Sequence, residues 1–132
     1  MQAPPEVLRL LQNLLEHAYA PYSGYPVAAV VRSSRGNLYG GVNVENAAYP
    51  LSRCAEQAAV LQMVSAGERE IAEVWVLSRG EAPATPCGGC RQVLSEFAPP
   101  WAPVHCLSTG GGELHTTLGQ LLPHAFSRNH LR

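Results

Sequence analysis

Two stretches of the chain carry apolar residues at helical spacing. The first contains Val7, Leu10, Leu11, Leu14, Leu15 and Ala18. It predicts an amphipathic helix that ends before Pro21. The second contains Ala58, Ala59, Leu61, Met63 and Val64. For this second helix Ser52 is the predicted N-cap and Gly67 the predicted stop.

Apolar segments with strand character lie between these helices and after them. Residues 25–31 and 38–44 flank a turn-rich segment and predict an antiparallel hairpin. The Gly40-Gly41 pair in the second segment indicates a bulge or a close backbone approach. Residues 71–77 are almost continuously apolar and contain three β-branched side chains besides Trp75. This pattern is typical of a strand that is covered on both faces, in the middle of a sheet.

The last third of the chain continues the alternation of helix and strand. Cys87-Gly88-Gly89-Cys90 precedes apolar residues at helical spacing and predicts a third helix. Residues 104–107 and 114–116 predict two more strands, and residues 118–122 a short last helix. The order of elements predicts one α/β domain, residues 1–132, with a three-layer α/β/α architecture around a mixed five-stranded sheet.

Composition and charge narrow the range of functions. With a formal net charge of −1 and only nine Lys and Arg, the chain has no large positive field for nucleic acid, so we expect a small substrate. No stretch reaches the roughly 18 apolar residues that span a bilayer, and residues 1–6 lack the build of a signal peptide. We therefore expect a cytoplasmic protein with no nucleic-acid or membrane partner.

In a reducing compartment the four cysteines are expected to serve as metal ligands, catalytic groups or buried apolar residues rather than as disulfides. Cys87 and Cys90 lie on one side of a first helical turn, where they can share a metal ion. Cys54, at the start of another helix, can supply a third thiolate and leave an open position for water, as in catalytic zinc sites. Cys106 falls in an apolar strand and is expected to be only buried.

The histidines have no paired spacing and are expected in surface or core roles: His17, His105, His115, His124 and His130.

Glu56 lies two positions after Cys54 and adds acid–base chemistry. A glutamate in a first helical turn usually only interacts with the helix dipole. However, residues 54–56, Cys-Ala-Glu, and residues 86–90, Pro-Cys-Gly-Gly-Cys, together form the two boxes of zinc deaminases, whose glutamate transfers protons without binding zinc. Each box alone is a weak signal, and the two together predict a deaminase.

Further segments resemble the homotetrameric zinc-dependent cytidine deaminases over nearly the whole chain. Residues 22–27, Tyr-Ser-Gly-Tyr-Pro-Val, resemble the family's segment before the first strand. Residues 43–47, Asn-Val-Glu-Asn-Ala, resemble its ribose-binding box, and residues 122–126, Leu-Pro-His-Ala-Phe, its C-terminal motif. The resemblance implies six substrate-binding residues: Asn43 and Glu45 on the ribose, Tyr25 beside the base, the backbones of Ala55 and Thr85 at the pyrimidine edge, and Phe126 stacked on the base from a neighbouring subunit.

The same resemblance implies the reaction and the assembly. The reaction would be hydrolytic deamination of cytidine and deoxycytidine to uridine and deoxyuridine with release of ammonia, in pyrimidine salvage. One Zn²⁺ per subunit would lower the pKa of a bound water toward about 7, and Glu56 would take its proton and pass it to the base. The implied assembly is a homotetramer whose sites are shared between subunits.

The chain departs from the family pattern at three positions. Tyr25 stands where Phe is common and Ala28 where Gly is common, and both changes are mild. Gln57 replaces an arginine that many members place beside the metal thiolates. Arg91 or the helix ends alone would then balance the thiolate charge, which concerns metal affinity rather than the reaction.

Other functions fit parts of the pattern. A strand followed by Cys87-Gly88-Gly89-Cys90 also suits a thiol–disulfide oxidoreductase, which leaves Cys54 and Glu56 without a role. A zinc-stabilised binding module would need a fourth protein ligand. A nucleic-acid-editing deaminase would need a basic and aromatic surface. A blasticidin-type deaminase shares both cysteine boxes and differs in substrate.

Overall fold

A computed structural model describes residues 3–131, which form four α-helices and five strands. The helices are α1 (Pro5–Leu15), α2 (Ala55–Ser65), α3 (Gly88–Phe97) and α4 (Leu118–Leu121). The strands are β1 (Val27–Ser33), β2 (Leu38–Val42), β3 (Ile71–Ser78), β4 (Pro103–Ser108) and β5 (Glu113–Thr117). Short 3₁₀ turns lie at Tyr49–Leu51 and Arg128–Leu131.

The strands form one mixed sheet in the order β2-β1-β3-β4-β5. β3 and β4 run parallel and are connected through α3, whereas the other neighbouring pairs are antiparallel. β3, the nearly continuous apolar segment, lies at the centre of the sheet, as predicted from its lack of a polar face. The predicted mixed five-stranded sheet is therefore confirmed.

Helices cover both faces of the sheet and bury two apolar clusters. On one face α1 packs Val7 and Leu11 against Val30, Trp75 and other strand residues. On the other face α2 and α3 pack against the opposite side chains of the same strands, Val31 and Val76 among them. Burying one such side chain stabilises the fold by roughly 1.5–3 kcal/mol, so both layers contribute. The architecture is the predicted three-layer α/β/α arrangement.

Gly41 allows α2 to lie directly against β2. A Cβ atom at this position would fall 2.5 Å from the backbone nitrogen of Ala59 and 2.8 Å from the carbonyl oxygen of Ala55. The register of β1 on β2 continues without a shift through Gly40 and Gly41. Of the two predicted explanations for the glycine pair, the close backbone approach is therefore the one observed.

Two helix ends differ from the predictions, and at the start of α2 long-range contacts override the local signal. α2 begins after Cys54 as N-cap, two residues later than the predicted Ser52. Arg53 exchanges backbone hydrogen bonds of 2.9 and 3.0 Å with Val44 and so holds the chain extended. The hydroxyl of Ser52 accepts a hydrogen bond from the Asn46 backbone instead of capping the helix. α1 ends at Leu15, short of the predicted limit at Pro21.

Candidate metal centre and substrate pocket

The N-termini of α2 and α3 bring three cysteines together. Cys54 and Cys87 are the N-cap residues of the two helices, both with extended backbones, and Cys90 lies in the first turn of α3. The Sγ atom of Cys87 lies 3.9 Å from that of Cys54 and 3.4 Å from that of Cys90. All three sulfur atoms lie within 4.8 Å of one another.

This arrangement fits a tetrahedral zinc ion. Zn–S bonds of about 2.3 Å place the sulfur atoms of a tetrahedral site about 3.8 Å apart, close to the spacings in this chain. Among the described residues, the possible metal ligands that cluster here are the three cysteine sulfurs, with no His, Asp or Glu in the group. Three soft thiolates and one remaining position are the ligand set of an open zinc site rather than of a closed structural one.

Cys54 and Cys90 differ in how readily their thiols ionise. The hydrogen bond from Cys90 is the main cause that lowers the pKa of Cys54 to about 6, with smaller contributions from Cys87 and Arg53. The same pairing with Cys54, together with burial, raises the pKa of Cys90 above its ordinary value. Cys54 therefore ionises more readily than Cys90, and a bound cation would favour the thiolate form of every ligand.

The groups that offset the charge on the thiolates are a hydrogen-bond donor, two helix ends and, near Cys54, the guanidinium of Arg53. The side-chain amide of Gln57 donates to Cys90 Sγ over 3.6 Å. Arg91 donates instead to the carbonyl oxygens of Pro86 and Leu121, at 2.7 and 2.8 Å, and to the hydroxyl of Thr85 at 3.0 Å. Arg91 thus holds the loop before α3, while both helix N-termini point at the sulfur atoms and contribute positive potential.

Glu56, the second residue of α2, is only 5% exposed although it carries a carboxyl group. Burial is the main cause that raises its pKa to about 7, and the negative charge on Cys54 adds to the effect. A carboxyl group with a pKa near neutrality can both accept and donate a proton at physiological pH. Glu56 is not a member of the ligand group, which agrees with a role beside the metal.

A pocket of about 300 Å³ opens onto Glu56, Cys54 and Cys87. Five of the six predicted substrate-binding residues line it: Tyr25, Asn43, Glu45, Ala55 and Thr85. Sequence reasoning did not single out four further lining residues, which are Ser23, Val27, Val76 and Ala84. Ser23 and Val27 lie in the segment of residues 22–27 already recognised, whereas Val76 carries an ordinary strand pattern with no signal of a site.

Asn43 and Glu45 are held in place by hydrogen bonds to the loop before β1. The amide of Asn43 accepts from the Val27 backbone and donates to the Tyr25 carbonyl, both over 2.9 Å. One carboxylate oxygen of Glu45 accepts from the backbones of Tyr22 and Ser23 at 3.0 Å, and the other accepts from the Ser23 hydroxyl. The hydroxyl contact is the main cause that lowers the pKa of Glu45, and the backbone contacts add to it. Each side chain keeps unused hydrogen-bonding capacity that a ligand hydroxyl could take.

Phe126 does not line the pocket of its own chain. Its side chain is 58% exposed and stacks on His130, with 5.3 Å between ring centroids. Its carbonyl accepts a hydrogen bond of 2.9 Å from the Gln92 side chain. Phe126 is therefore an anchored surface aromatic, and the simple alternative of a core aromatic does not apply.

A family model described as the cytidine and deoxycytidylate deaminase zinc-binding region matches residues 1–106. The chain belongs to this family. A cytidine deaminase of Sporosarcina psychrophila is 42% identical over 116 residues, which cover 88% of this chain and 85% of that protein.

Solved structures of cytidine deaminases share the fold. The crystal structure of the cytidine deaminase from Burkholderia pseudomallei is 37% identical and matches with a TM-score of 0.87, over 94% of this chain and 100% of that one. The cytidine deaminase of Mycobacterium tuberculosis is 33% identical, with a TM-score of 0.76 over 88% of this chain and 90% of that one. The predicted fold class and the assignment to the zinc-dependent cytidine deaminases are confirmed.

Membership in the deaminase family also places the two cysteine boxes in a known zinc-binding region, since the matched residues 1–106 contain both of them. The hypothesis of a thiol–disulfide oxidoreductase accounts for Cys87 and Cys90 but not for Cys54, whose sulfur atom lies 3.9 Å from that of Cys87. In the part of the chain that the structure describes, no helix is long and apolar enough to cross a lipid bilayer.

Proposed function

We propose that this protein hydrolyses cytidine and deoxycytidine to uridine and deoxyuridine and releases ammonia, with one Zn²⁺ per subunit. The observation that carries the proposal is a group of three cysteine sulfurs, two of which line the same pocket as the buried carboxyl group of Glu56. Neither group alone specifies a deaminase, because structural zinc sites also use cysteines and buried carboxyl groups occur without catalysis. Their combination supplies both a metal site and a proton carrier.

Cys54, Cys87 and Cys90 would hold the metal ion through their sulfur atoms. Zn²⁺, when bound, would supply a nucleophile at neutral pH by lowering the pKa of a water molecule. The positive ends of α2 and α3 and the amide of Gln57 offset the charge of the thiolates. This site therefore does not need the arginine that Gln57 replaces.

Glu56 would move the protons of the reaction. Its carboxylate takes a proton from the attacking water as the new C4–O bond forms on the pyrimidine. The protonated carboxyl group then delivers that proton to N3. The carboxylate next takes the second proton of the water from the new C4 hydroxyl and passes it to the exocyclic amino group, so that the C4=O bond forms while the C4–N bond breaks and ammonia leaves. The pKa of about 7 suits both directions of transfer near neutral pH.

The remaining pocket residues would select and orient the nucleoside. Asn43 and Glu45 would bind the ribose hydroxyls with the hydrogen-bonding capacity that the loop leaves unused. Tyr25 would flank the base. The Ala55 N–H, one of the first four of α2 without an intrahelical acceptor, and the Thr85 carbonyl would face the pyrimidine edge.

We infer that the enzyme is a homotetramer in which Phe126 of one subunit covers the base bound in another. The exposure of Phe126 and its position outside its own pocket support this arrangement. We further propose that residues 1–132 form one catalytic domain and that the enzyme acts in pyrimidine salvage in the cytoplasm, on a nucleoside rather than on nucleic acid or a membrane.

The direct test is an assay of cytidine absorbance loss with a zinc measurement on the same sample. We expect turnover of cytidine and deoxycytidine, with about one zinc per chain. Blasticidin S is the comparison substrate, because preferred turnover of blasticidin S would reassign the substrate class and leave the metal site intact.

The metal assignment is tested with the Cys54→Ala variant. We expect it to lose most of its zinc and all measurable activity, because two remaining cysteines do not complete the site. Cys106→Ala is the matched control, since that buried cysteine lies outside the ligand group. Full zinc occupancy in Cys54→Ala would refute the assignment, and a zinc-free native protein with a reversible Cys87–Cys90 disulfide would favour an oxidoreductase.

A further inference from the structure

A row of polar side chains crosses four strands on the α1 face of the sheet. Arg32 of β1 pairs with Glu73 of β3, whose other carboxylate oxygen lies 2.6 Å from Nε2 of His105 on β4. The Nδ1 atom of His105 lies 2.7 Å from Nδ1 of His115 on β5, and Nε2 of His115 lies 2.8 Å from a carboxylate oxygen of Glu113. The reaction proposed above uses none of these groups.

The register of β4 on β5 explains why the two imidazoles meet. His105 and His115 are direct partners across the antiparallel pair, so their side chains project from the same face. The ring of His105 also stacks on Trp75, with 5.6 Å between centroids and an angle of 26°. Trp75 is buried and therefore restrains the orientation of His105.

The carboxylates determine where the lone pairs of the two rings point. A carboxylate accepts hydrogen bonds but does not donate them, so Nε2 of each ring carries a proton. In a neutral ring the lone pair then lies on Nδ1, and the two Nδ1 atoms face each other. The two Nδ1 atoms lie only 2.7 Å apart, so two acceptor lone pairs converge on one point.

We propose that His105 and His115 form a second metal site, which binds a divalent transition-metal ion between their Nδ1 atoms. Bonds of about 2.1 Å from one ion to two imidazoles in a tetrahedral site place the nitrogens about 3.4 Å apart, so the rings need to separate by roughly 0.7 Å. Imidazole ligands suit Zn²⁺, Ni²⁺ and Cu²⁺.

The surroundings of the pair favour ligation over a purely structural contact. Histidine ligands in metal sites typically donate their second nitrogen to a carboxylate, and both rings have such a partner in Glu73 and Glu113. The side chains of His105 and His115 remain 20% and 36% exposed, so an ion and its water ligands have access.

The site is separate from the cysteine centre. His105 belongs to the face of the sheet that carries Trp75 and α1, whereas Cys54 and Cys87 cap the helices of the opposite face. Water completes the coordination of an ion held by two protein ligands, and we expect weaker binding than at three thiolates. A bound ion would join β4 to the edge strand β5 and stabilise the folded state.

The test is titration of the zinc-loaded protein with Ni²⁺ at constant pH in a Trp101→Phe background, where Trp75 is the one remaining tryptophan. Equilibrium dialysis counts bound Ni²⁺, and fluorescence reports whether that ion lies near Trp75. We expect one Ni²⁺ per chain with quenching of Trp75. His115→Gln should lose both signals, and Glu73→Gln should weaken Ni²⁺ binding about 10- to 100-fold.

His17→Gln is the matched control, because His17 is an exposed histidine far along the chain from the pair. It should bind Ni²⁺ as the parent does, and all variants should keep their zinc at the cysteines. Equal Ni²⁺ binding by the parent and His115→Gln, or Ni²⁺ binding that leaves the Trp75 fluorescence unchanged, would overturn the proposal.

Discussion

Burial and neighbouring groups change the acid–base properties of single residues in this protein, and Glu56 is the strongest example. A carboxyl group that is 5% exposed gains little solvation, and its pKa rises to about 7 for that reason. The same burial that disfavours its charge suits it to exchange protons at neutral pH. Cys54 shows the opposite effect, since its neighbours lower its pKa to about 6.

For the Glu56→Gln variant we predict retained fold and zinc, with kcat lower by roughly 10²–10⁴-fold, the contribution of positioned acid–base catalysis. Glutamine has nearly the same shape and cannot take the proton. Activity and zinc content are measured on the same preparation, with Glu96→Gln, an exposed carboxyl group on α3, as the control. Deamination within a few-fold of the parent rate would contradict the proposed role.

At the scale of secondary-structure elements, the position of α2 depends on its contact with β2. Gly41 removes the side chain that would otherwise separate them, and the contact reaches the first turn of α2 at Ala55. The start of α2 carries both Cys54 and Glu56, so packing on the sheet positions the metal ligand and the proton carrier together.

We therefore predict that Gly41→Ala destabilises the protein by about 1–3 kcal/mol or more and lowers zinc occupancy, because the added Cβ meets backbone atoms that cannot move independently. Gly40→Ala is the paired comparison. There the added Cβ meets Leu14 Cδ1, the end of a flexible side chain, and the cost should be smaller. Denaturant unfolding of both variants measures the difference, and equal costs would argue against this account.

Glu68 lies in the connection between α2 and β3 and forms hydrogen bonds with the β1–β2 hairpin. One carboxylate oxygen accepts hydrogen bonds from the hydroxyl of Tyr39 and, over 2.8 Å, from the amide of Asn37. These bonds and that from Ser33 lower the pKa of Glu68 below its ordinary value of 4.5. The lower pKa in the folded state means that the carboxylate stabilises the fold above about pH 4.5, and that this contribution is lost as the pH falls through the lowered pKa.

Glu68→Gln should thus reduce the free energy of unfolding at about pH 7, and the gap from the parent should narrow as the pH falls below about 5. Urea unfolding across this pH range measures both effects. Glu70→Gln, two positions away and exposed, should show no such pH-dependent gap. A constant gap at all pH values would mean that shape, rather than charge, underlies the contribution of Glu68.

At the scale of the whole molecule, the pocket is open where the proposed tetramer would close it. Tyr25, which lines the pocket, is 42% exposed, while Phe126 projects into solvent on its own chain. Closure matters because exclusion of water strengthens the electrostatic interactions at the reacting atoms.

Shared sites predict complementation between two defective chains. Phe126→Ala alone should raise KM and lower kcat without loss of zinc. The variant should lose the free energy of stacking on the base, which is on the order of 1–3 kcal/mol. When Phe126→Ala chains are dissociated and reassembled with Glu56→Gln chains, some sites regain both residues, and activity should exceed that of either parent. No gain after demonstrated subunit exchange, or an active monomer, would place the role of Phe126 within one chain.

Local features of this protein follow from the sequence alone. The period of apolar residues predicted the helices, and continuous apolar character predicted β3 as the central strand, because both depend on which side chains leave water. Cys87 and Cys90 were predicted as a pair since three residues make about one helical turn, and Glu56 lies two positions from Cys54.

Distances between elements were decided by the tertiary structure. The N-cap of α2 is Cys54 rather than the predicted Ser52, because the backbone of Arg53 pairs with that of Val44. The meeting of α2 and α3, which closes the three-cysteine group, depends on packing both helices on one face of the sheet. His105 and His115 are ten residues apart and showed no paired spacing. They meet because the register of β4 on β5 makes them partners, and register is set by the buried face and the turn, not by the two residues themselves.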